Sequence, residues 1–309
     1  MSRADRCVTL LAITLSGVTT EEFQEDLYLD FDVELPSEEG NRAFFGRNVL
    51  QGLIDGIDDF VHERQARWER RSHRTGAPVM LGCSPWVNDD KLLEAIEALP
   101  GACIVISKHP RTAGGKAGAD RLRELNERTN GIELRALSGL GDMAPKIAGQ
   151  PRLIGPYDEI HEEGASFSTF RTIGFRKAGD NRPPIAHAKL ALLGNICWTD
   201  EHPAGYVDDY VWFSPRRLWV SSANFTYASR RSLEFGYWTE DPDLVSAVQQ
   251  FLVRLIGASE DLDSAADAAD PELARVQYDD VAMAEAAVTA QLAREELAAE
   301  AGEEFDDDW

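Results

Sequence analysis

The 309-residue sequence predicts an α/β fold with a mixed, largely parallel central sheet that is flanked by helices on both faces. Short apolar runs, which are typical of buried strands, alternate with segments of helical periodicity. The strand runs lie at 79–83, 102–107 and 132–137, and the helical segments between them lie at 91–99 and 118–128. Strands that alternate with helices indicate crossover connections, which place parallel strands side by side and helices over the sheet.

The remaining elements are each predicted by a local pattern. Two N-terminal strands enclose an acidic turn, the helix after them has apolar residues at helical spacing, and Asp241-Pro242 is a helix start signal. The predicted ranges are strands 7–15 and 27–35, a helix in 43–70, strands 185–194, 217–222 and 233–239, and helices 241–256 and 271–301. The stretch 138–184 is rich in Gly, Pro and charged residues and is predicted as a long loop with short elements.

Three regions are expected along the chain. Residues 1–75 form an N-terminal extension that is part of the core or packs on it, 76–256 form the main domain, and 257–309 form an acidic linker, helix and tail. The linker prediction rests on the Ala/Asp/Ser-rich stretch 258–270. The net charge of −23 is concentrated outside the main domain, because 257–309 carry 17 Asp/Glu against two Arg, whereas 41–256 are neutral. A neutral domain can still carry a basic groove, so the acidity of the chain does not exclude nucleic acid as a ligand.

The four cysteines, Cys7, Cys83, Cys103 and Cys197, are scattered, and no two of them have metal-ligand spacing. Free thiols in a reducing cytoplasm are expected, with a cytoplasmic location and neither a metal nor a cofactor. The apolar run 7–18 is too short to span a bilayer and lacks the features of a signal peptide. It is therefore predicted as a strand, and no membrane association is expected.

Five polar residues are spaced so that their side chains could bind one phosphodiester. In a strand, residues i and i+2 share a face, so His187 and Lys189 point the same way, as do Ser222 and Asn224. Glu234 follows ten residues after Asn224. These residues supply an imidazole, an ammonium, a hydroxyl, an amide and a carboxylate. Together they could attack phosphorus and stabilise the developing charge without a metal.

The order H-x-K, S-x-N and Glu234 resembles the phospholipase D superfamily, and two flanking segments do so as well. Residues 81–86, Leu-Gly-Cys-Ser-Pro-Trp, resemble the opening strand and turn of that family. Residues 237–244 resemble its closing strand and the start of the helix that follows. The resemblance covers roughly 76–256.

The resemblance implies a metal-independent phosphodiesterase that works through a phosphohistidine intermediate. In the family, two histidines share one site, where one attacks phosphorus and the other protonates the leaving oxygen. By position, His187 is implied to be the nucleophile or the acid, and Glu234 the carboxylate that orients it. Lys189, Ser222 and Asn224 are implied to bind the phosphoryl oxygens.

Two positions depart from the family pattern. The Asp of H-x-K-x4-D is Gly194 here, and the Gly of G-S-x-N is Ser221. In the family that Asp lies away from the phosphate and is mainly structural. Its replacement therefore weakens the resemblance to the family more than it affects the expected chemistry. The chain also has an insert at 195–215 in place of a tight hairpin, which is expected to shape substrate access or to bind a protein partner.

A homodimer is predicted from the number of motifs. His187 is the one histidine of six that is followed by x-Lys, and no internal repeat is apparent. A two-histidine site therefore requires two chains, which we expect to meet at the active-site face around a two-fold axis. In this respect the chain resembles the small single-motif bacterial endonucleases of the superfamily.

Five further residues are candidate substrate ligands. Arg216, Arg217, Arg230 and Arg231 flank the S-x-N loop and could bind backbone phosphates, with surface solubility as the alternative. Trp86 could stack on a base, with core packing as the alternative.

The sequence thus predicts a nuclease that hydrolyses DNA or RNA, within a multi-protein system such as antiviral (phage) defence. A phospholipase or transphosphatidylase, and an inactive interaction module of the same fold, are the alternatives. The acidic C-terminal tail, 303–309, has three interpretations: a solvated tail, a partner-binding peptide, or an internal polyanion mimic that occupies the site.

Overall fold

The structure, a computed structural model, describes most of the chain. The described residues are 31–36, 41–68, 76–108, 113–158, 166–175, 186–201 and 207–301. The predicted strand 7–15 and the acidic tail 303–309 lie outside these residues.

Fifteen strands and five α-helices lie within the described residues. The strands are β1 (Val33–Pro36), β2 (Arg42–Gly46), β3 (Pro78–Ser84), β4 (Gly101–Ser107), β5 (Ile132–Glu133), β6 (Met143–Pro145), β7 (Leu153–Ile154), β8 (Ser166–Phe167), β9 (Phe170–Ile173), β10 (Leu190–Glu201), β11 (Val207–Ser221), β12 (Glu234–Thr239), β13 (Glu260–Asp261), β14 (Leu273–Arg275) and β15 (Gln277–Tyr278). The helices are α1 (Val49–Trp68), α2 (Asp90–Glu97), α3 (Ala113–Arg128), α4 (Pro242–Gly257) and α5 (Asp280–Ala301). None of these helices is both long and apolar enough to cross a bilayer.

Nine of the described strands form one sheet in the order β1-β2-β12-β11-β10-β3-β4-β9-β13. β3, β4 and β9 are parallel, and every other pair of neighbours in this sheet is antiparallel. The predicted mixed α/β class is confirmed, but the sheet is less parallel than predicted. The helical crossovers that produce parallel pairing occur only between β3 and β9, whereas β10, β11 and β12 follow one another as an antiparallel meander.

Helices cover both faces of the sheet, as predicted. On one face, α1, α2 and α3 contribute buried residues such as Leu53, Leu92 and Leu122. On the other face, α4 contributes Leu252 and Ile256. α4 begins as the Asp-Pro signal predicts, because the Asp241 carboxylate accepts a hydrogen bond from the Leu244 amide and Pro242 occupies the first turn.

Several element boundaries differ from those predicted. The segment 43–70, expected to be one helix, opens with β2, whose Phe44 is buried while Phe45 is exposed. This period-two pattern belongs to a strand, and the helix starts only at Val49. The third predicted strand, 132–137, is a two-residue strand followed by a 3-10 turn.

The described residues of the insert between the two half-motifs, 195–201 and 207–215, lie in strands. β10 and β11 run as one long antiparallel hairpin with register pairs from Leu190–Val220 to Glu201–Val207. Its alternating apolar and aromatic residues are typical of strands. The motif strand correspondingly starts at Leu190 rather than at 185.

The stretch 258–270 is an integral part of the fold, so the linker prediction is wrong there. β13 pairs with β9 at the edge of the sheet, and Ser259 and Glu260 are buried. Nζ of the buried Lys108 lies 2.7 Å from a Glu260 carboxylate oxygen, and it also donates to two backbone carbonyls of this stretch. The composition looked like a linker because Leu262 is the one large apolar side chain that the segment buries, and buried charge pairing anchors the rest. The last helix likewise begins at Asp280, not at 271.

Candidate active site

Strand register brings the half-motifs together at one end of the sheet. Leu190 of β10 is opposite Cys83 at the carboxyl end of β3 and opposite Val220 near the end of β11. On the next strand, Glu234 starts β12 opposite Gly46, the last residue of β2. His187 and Lys189 therefore lie beside the loop that follows β11, and that loop carries Ser222 and Asn224.

The segment that carries His187 does not pair as a β-strand. Hydrogen bonds to its backbone carbonyls hold it in place. The Ser107 hydroxyl, at the end of β4, donates to the Ala186 carbonyl over 3.1 Å. The Cys83 thiol lies 3.7 Å from the Ala188 carbonyl, and the Ser221 amide donates to the Lys189 carbonyl over 3.1 Å. The carbonyls on both sides of His187 are thus fixed while its side chain is exposed.

His187 and Lys189 are in direct contact, with 3.2 Å between Nδ1 of the ring and Nζ. With Lys189 as an ammonium, Nδ1 accepts a hydrogen bond and a neutral ring carries its proton on Nε2. Attack by Nε2 therefore requires that the ammonium leave Nδ1 and turn to the phosphoryl group, and proton donation requires the imidazolium form of the ring. The contact with Lys189 thus couples the tautomer of His187 to the charge of the lysine.

The pKa of Lys189 is lowered, and the main cause is partial burial, which disfavours the charged ammonium. The Glu234 carboxylate and the Cys83 sulfur oppose this shift through their charge. The Cys83 thiol itself stays protonated near neutral pH, because burial raises its pKa to about 12. Glu234 is thus the main group near Lys189 that favours the charged ammonium.

Ser222 and Glu234 form a second pair in the site. The Ser222 hydroxyl donates to Glu234 Oε2 over 2.5 Å and accepts from the Phe235 amide over 2.9 Å. The resemblance implied that Ser222 binds phosphoryl oxygens and that Glu234 orients His187. In this chain the serine hydroxyl fixes the carboxylate, and the carboxylate acts on Lys189 through its charge.

Asn224 has an amide oxygen that is buried and has no hydrogen-bond partner. Its loop is nevertheless well anchored, because the Ser84 hydroxyl accepts from the Phe225 amide and the Phe225 carbonyl accepts from the Asn88 amide. Because an amide oxygen only accepts hydrogen bonds, this atom needs a donor from a ligand or from water. A phosphoryl oxygen, which is itself an acceptor, would be bound by the Nδ2 group of Asn224 instead.

The four candidate arginines do not converge on the site. Arg217 is ion-paired with Glu240, at the end of β12 that lies away from Glu234. The guanidinium of Arg230 makes a two-pronged contact with the buried Asp89 carboxylate. Arg231 lies over the exposed ring of Tyr227, on the turn that follows the Asn224 loop.

The last arginine, Arg216, is exposed on β11 next to Arg217. Trp86 follows β3 at the site end of the sheet and is partly exposed. Of the five candidate substrate ligands, Trp86 and Arg231 therefore lie at the site end, Arg217 and Arg230 are held by carboxylates, and Arg216 lies away from the site.

Gly194, which replaces the family's Asp, has no room for a side chain. A Cβ atom there would lie 2.5 Å from the Phe213 ring and 2.6 Å from the Ser214 carbonyl oxygen. The strand pairing is irregular at this point, with a register shift between Leu193 and Gly194. Phe213 is buried beside Gly194 and fills the space that a side chain at this position would need.

Ser84 and Ser107 hold backbone groups of the candidate site, and neither was predicted as a site residue from the sequence. Each is a polar residue that ends a buried apolar strand, and this position is the signal that could have found them. The ends of neighbouring parallel strands lie at one edge of a sheet, where ligands commonly bind. Within the described residues, no group of three or more His, Cys, Asp or Glu side chains could hold a metal ion.

No protein-family profile and no curated protein matches this chain. Among solved structures, the chain is similar to NucT from Helicobacter pylori, with a TM-score of 0.39, 11% identity, and coverage of 72% of this chain and 98% of that one. It is similar to Nuc from Salmonella typhimurium, a phospholipase D family member, with a TM-score of 0.32, 12% identity, and coverage of 59% and 80%. It is also similar to polyphosphate kinase from Porphyromonas gingivalis, with a TM-score of 0.36, 12% identity, and coverage of 83% and 31%.

Proposed function

We propose that this chain is a metal-independent phosphodiesterase that cleaves nucleic acid through a phosphohistidine on His187. The observation that carries the proposal is the convergence of the half-motifs at one end of the sheet. There, an exposed imidazole contacts an ammonium, the loop that follows β11 carries the Asn224 amide, and β12 starts with a carboxylate that the Ser222 hydroxyl holds. The choice of nucleic acid rests on the sequence resemblance to single-motif endonucleases.

The proposed reaction needs two histidines, one from each of two copies. Nε2 of one His187 attacks phosphorus, the bond to the leaving oxygen breaks, and His187 of the second copy gives its proton to that oxygen. A water molecule then loses a proton to the second imidazole and attacks phosphorus, and the P–N bond breaks with its electron pair returning to the first ring. Lys189 and Asn224 stabilise the negative charge on the phosphoryl oxygens in both steps.

An apolar rim beside the site supports assembly of two copies. Exposed apolar side chains lie on β1, β2 and β12, next to Glu234, and the rings of Phe45 and Phe235 are 5.3 Å apart. The residues of this rim are Val33, Leu35, Phe45, Leu233 and Phe235. Exposed apolar residues grouped in this way are typical of an interface, and a second copy that covers them would bring a second His187 to the same face.

The same rim favours a second candidate function, a phospholipase or transphosphatidylase. A lipid phosphodiester needs the same attack on phosphorus, and an apolar rim would contact its acyl chains. A place in a multi-protein system such as phage defence stays a prediction from the sequence.

Activity of the purified chain in EDTA tests the proposal. Single-stranded DNA, duplex DNA, RNA and phosphatidylcholine vesicles are offered in parallel, and we expect cleavage of a nucleic acid. His187→Ala should lower the rate by at least about 10³-fold, whereas His62→Ala, which removes an exposed histidine on α1, should leave it unchanged. Absence of cleavage, dependence on a divalent metal, or full activity of His187→Ala would each contradict the proposal, and cleavage of vesicles alone would favour the lipid enzyme.

A further inference from the structure

A two-stranded ribbon projects from the sheet at the end opposite the site. Pairing of β10 with β3 ends at Asn195–Pro78, and pairing of β11 with β12 ends at Leu218–Thr239. Beyond these points, 196–201 and 207–213 pair only with each other, in register from Ile196–Phe213 to Glu201–Val207. Ile196 and Val211 still pack against the core, so the part that extends beyond the body starts near Trp198 and Tyr210 and, at about 3.3 Å per residue, is roughly 10 Å long.

The base of the ribbon is anchored, whereas its outer part exposes aromatic rings. Phe213 is buried in the core, and the Ile196 amide donates to the Ala77 carbonyl. Further out, Trp198 is 51% exposed on one side. On the other side, the rings of Tyr210 and Trp212 stack with centroids 5.5 Å apart, and Tyr210 is 38% exposed. Large aromatic residues that stay in water on a projecting element are typical anchors of protein–protein interfaces.

The charge of the ribbon identifies the kind of partner. Residues 195–212 contain four Asp/Glu and neither Lys nor Arg. Exposed aromatic rings can also stack on bases, but four negative charges without a positive one in this stretch of sequence would repel phosphates, so a nucleic acid does not fit. A second copy of the same ribbon does not fit either, because a symmetric pairing would bring equal negative charges together.

We propose that the ribbon is a docking arm for a second protein whose surface places Lys and Arg side chains around an apolar pocket. Trp198 fills the pocket, and the carboxylates of the ribbon meet the basic rim. Because the ribbon and His187 lie at opposite ends of β10, the partner binds without closing the active site. The arm therefore places the enzyme in an assembly and leaves its chemistry unchanged.

Site-specific crosslinking tests the proposal. Trp198 is replaced by the photoreactive p-benzoylphenylalanine in the full chain, in cells of the organism that encodes it, and the crosslinked protein is identified by mass spectrometry. That protein is then purified, and its affinity for the unmodified chain is measured by isothermal titration calorimetry. We expect Trp198→Ala to weaken binding by at least about tenfold, and Asp208→Asn with Asp209→Asn to weaken it and to reduce its salt dependence.

Tyr157→Ala is the matched control, since Tyr157 is 86% exposed on a loop outside the ribbon. It should leave the affinity unchanged, and Trp198→Ala should leave any phosphodiester cleavage unchanged. The proposal is overturned if no protein crosslinks from position 198, if the adduct is a second copy of this chain or a nucleic acid, or if the identified protein binds Trp198→Ala and Tyr157→Ala equally. None of these outcomes depends on whether the chain proves to be a phosphodiesterase.

Discussion

Nζ of Lys189 lies 3.2 Å from Nδ1 of His187, so the charge of the lysine sets which ring nitrogen of the histidine carries the proton. Partial burial lowers the pKa of Lys189, and the charge of Glu234 is the main interaction that raises it again. The chemistry of His187 is therefore linked to Glu234 through Lys189.

The first prediction concerns the pH dependence of cleavage. In the proposed mechanism the ammonium of Lys189 stabilises phosphoryl charge, so the rate should fall as pH rises through the pKa of this lysine. Glu234→Gln removes the charge that raises this pKa, and the alkaline limb of the pH–rate profile should therefore move to lower pH. In Lys189→Arg that limb should be absent, because a guanidinium stays charged. An alkaline limb that is the same in all three proteins would contradict the linkage.

The second prediction concerns Ser107, which holds the carbonyl before His187. Ser107→Ala removes this hydrogen bond, and kcat should fall by about tenfold to a hundredfold with a small change in KM, because His187 loses its alignment. Thermal unfolding should reveal a loss of only about 1 kcal/mol.

Thr169→Val is the control for Ser107→Ala. It removes another buried hydroxyl, which bonds to Thr129 away from His187, and it should leave kcat unchanged. Equal effects of the two substitutions on kcat would mean that Ser107 has only a structural role.

The third prediction concerns Gly194. Restoring the family's residue with Gly194→Asp should not raise activity. It should lower the free energy of unfolding by about 2–4 kcal/mol, since the new side chain meets Phe213 and a backbone carbonyl. Urea denaturation measures the loss, and Gly141→Asp, in open space, should be nearly neutral. A Gly194→Asp protein with unchanged stability and higher activity would mean that the missing carboxylate matters for catalysis.

The fourth prediction concerns assembly. Leu35→Glu places a charge in the apolar rim, and analytical ultracentrifugation should detect a shift from dimer to monomer with a parallel loss of cleavage. Leu153→Glu is the matched control, because the two leucines are 55% and 56% exposed and Leu153 lies outside the rim. An unsubstituted chain that is monomeric and active would contradict the two-copy site.

The sequence was sufficient where the pattern is local. Lys189 contacts His187 as their i, i+2 spacing predicts, although their segment is not a strand, and Asp241 caps the helix that its Asp-Pro pair predicts. It was not sufficient where long-range pairing decides the outcome. Arg230 was a candidate phosphate ligand, but its guanidinium pairs with Asp89, which is 141 positions away in the chain. Stretch 258–270 was predicted to be a linker because its anchor, Lys108, is equally remote.

The extent of parallel pairing in the sheet was overestimated because strand order, too, depends on long-range pairing. The alternation of strands and helices is real between β3 and β9, but the order of strands within a sheet is not encoded locally. The antiparallel meander of β10, β11 and β12 inserts between β2 and β3, and no local pattern in the sequence indicates this position.

Trapping the covalent intermediate on His187 tests the central claim most directly. The chain is mixed with a ³²P-labelled oligonucleotide in EDTA and quenched within milliseconds to seconds, and the labelled peptide is mapped by mass spectrometry. The account predicts an acid-labile phosphoramidate on His187 that forms and decays at rates consistent with turnover, and no label in His187→Ala. Cleavage without any labelled protein, or label on another residue in an active preparation, would contradict it.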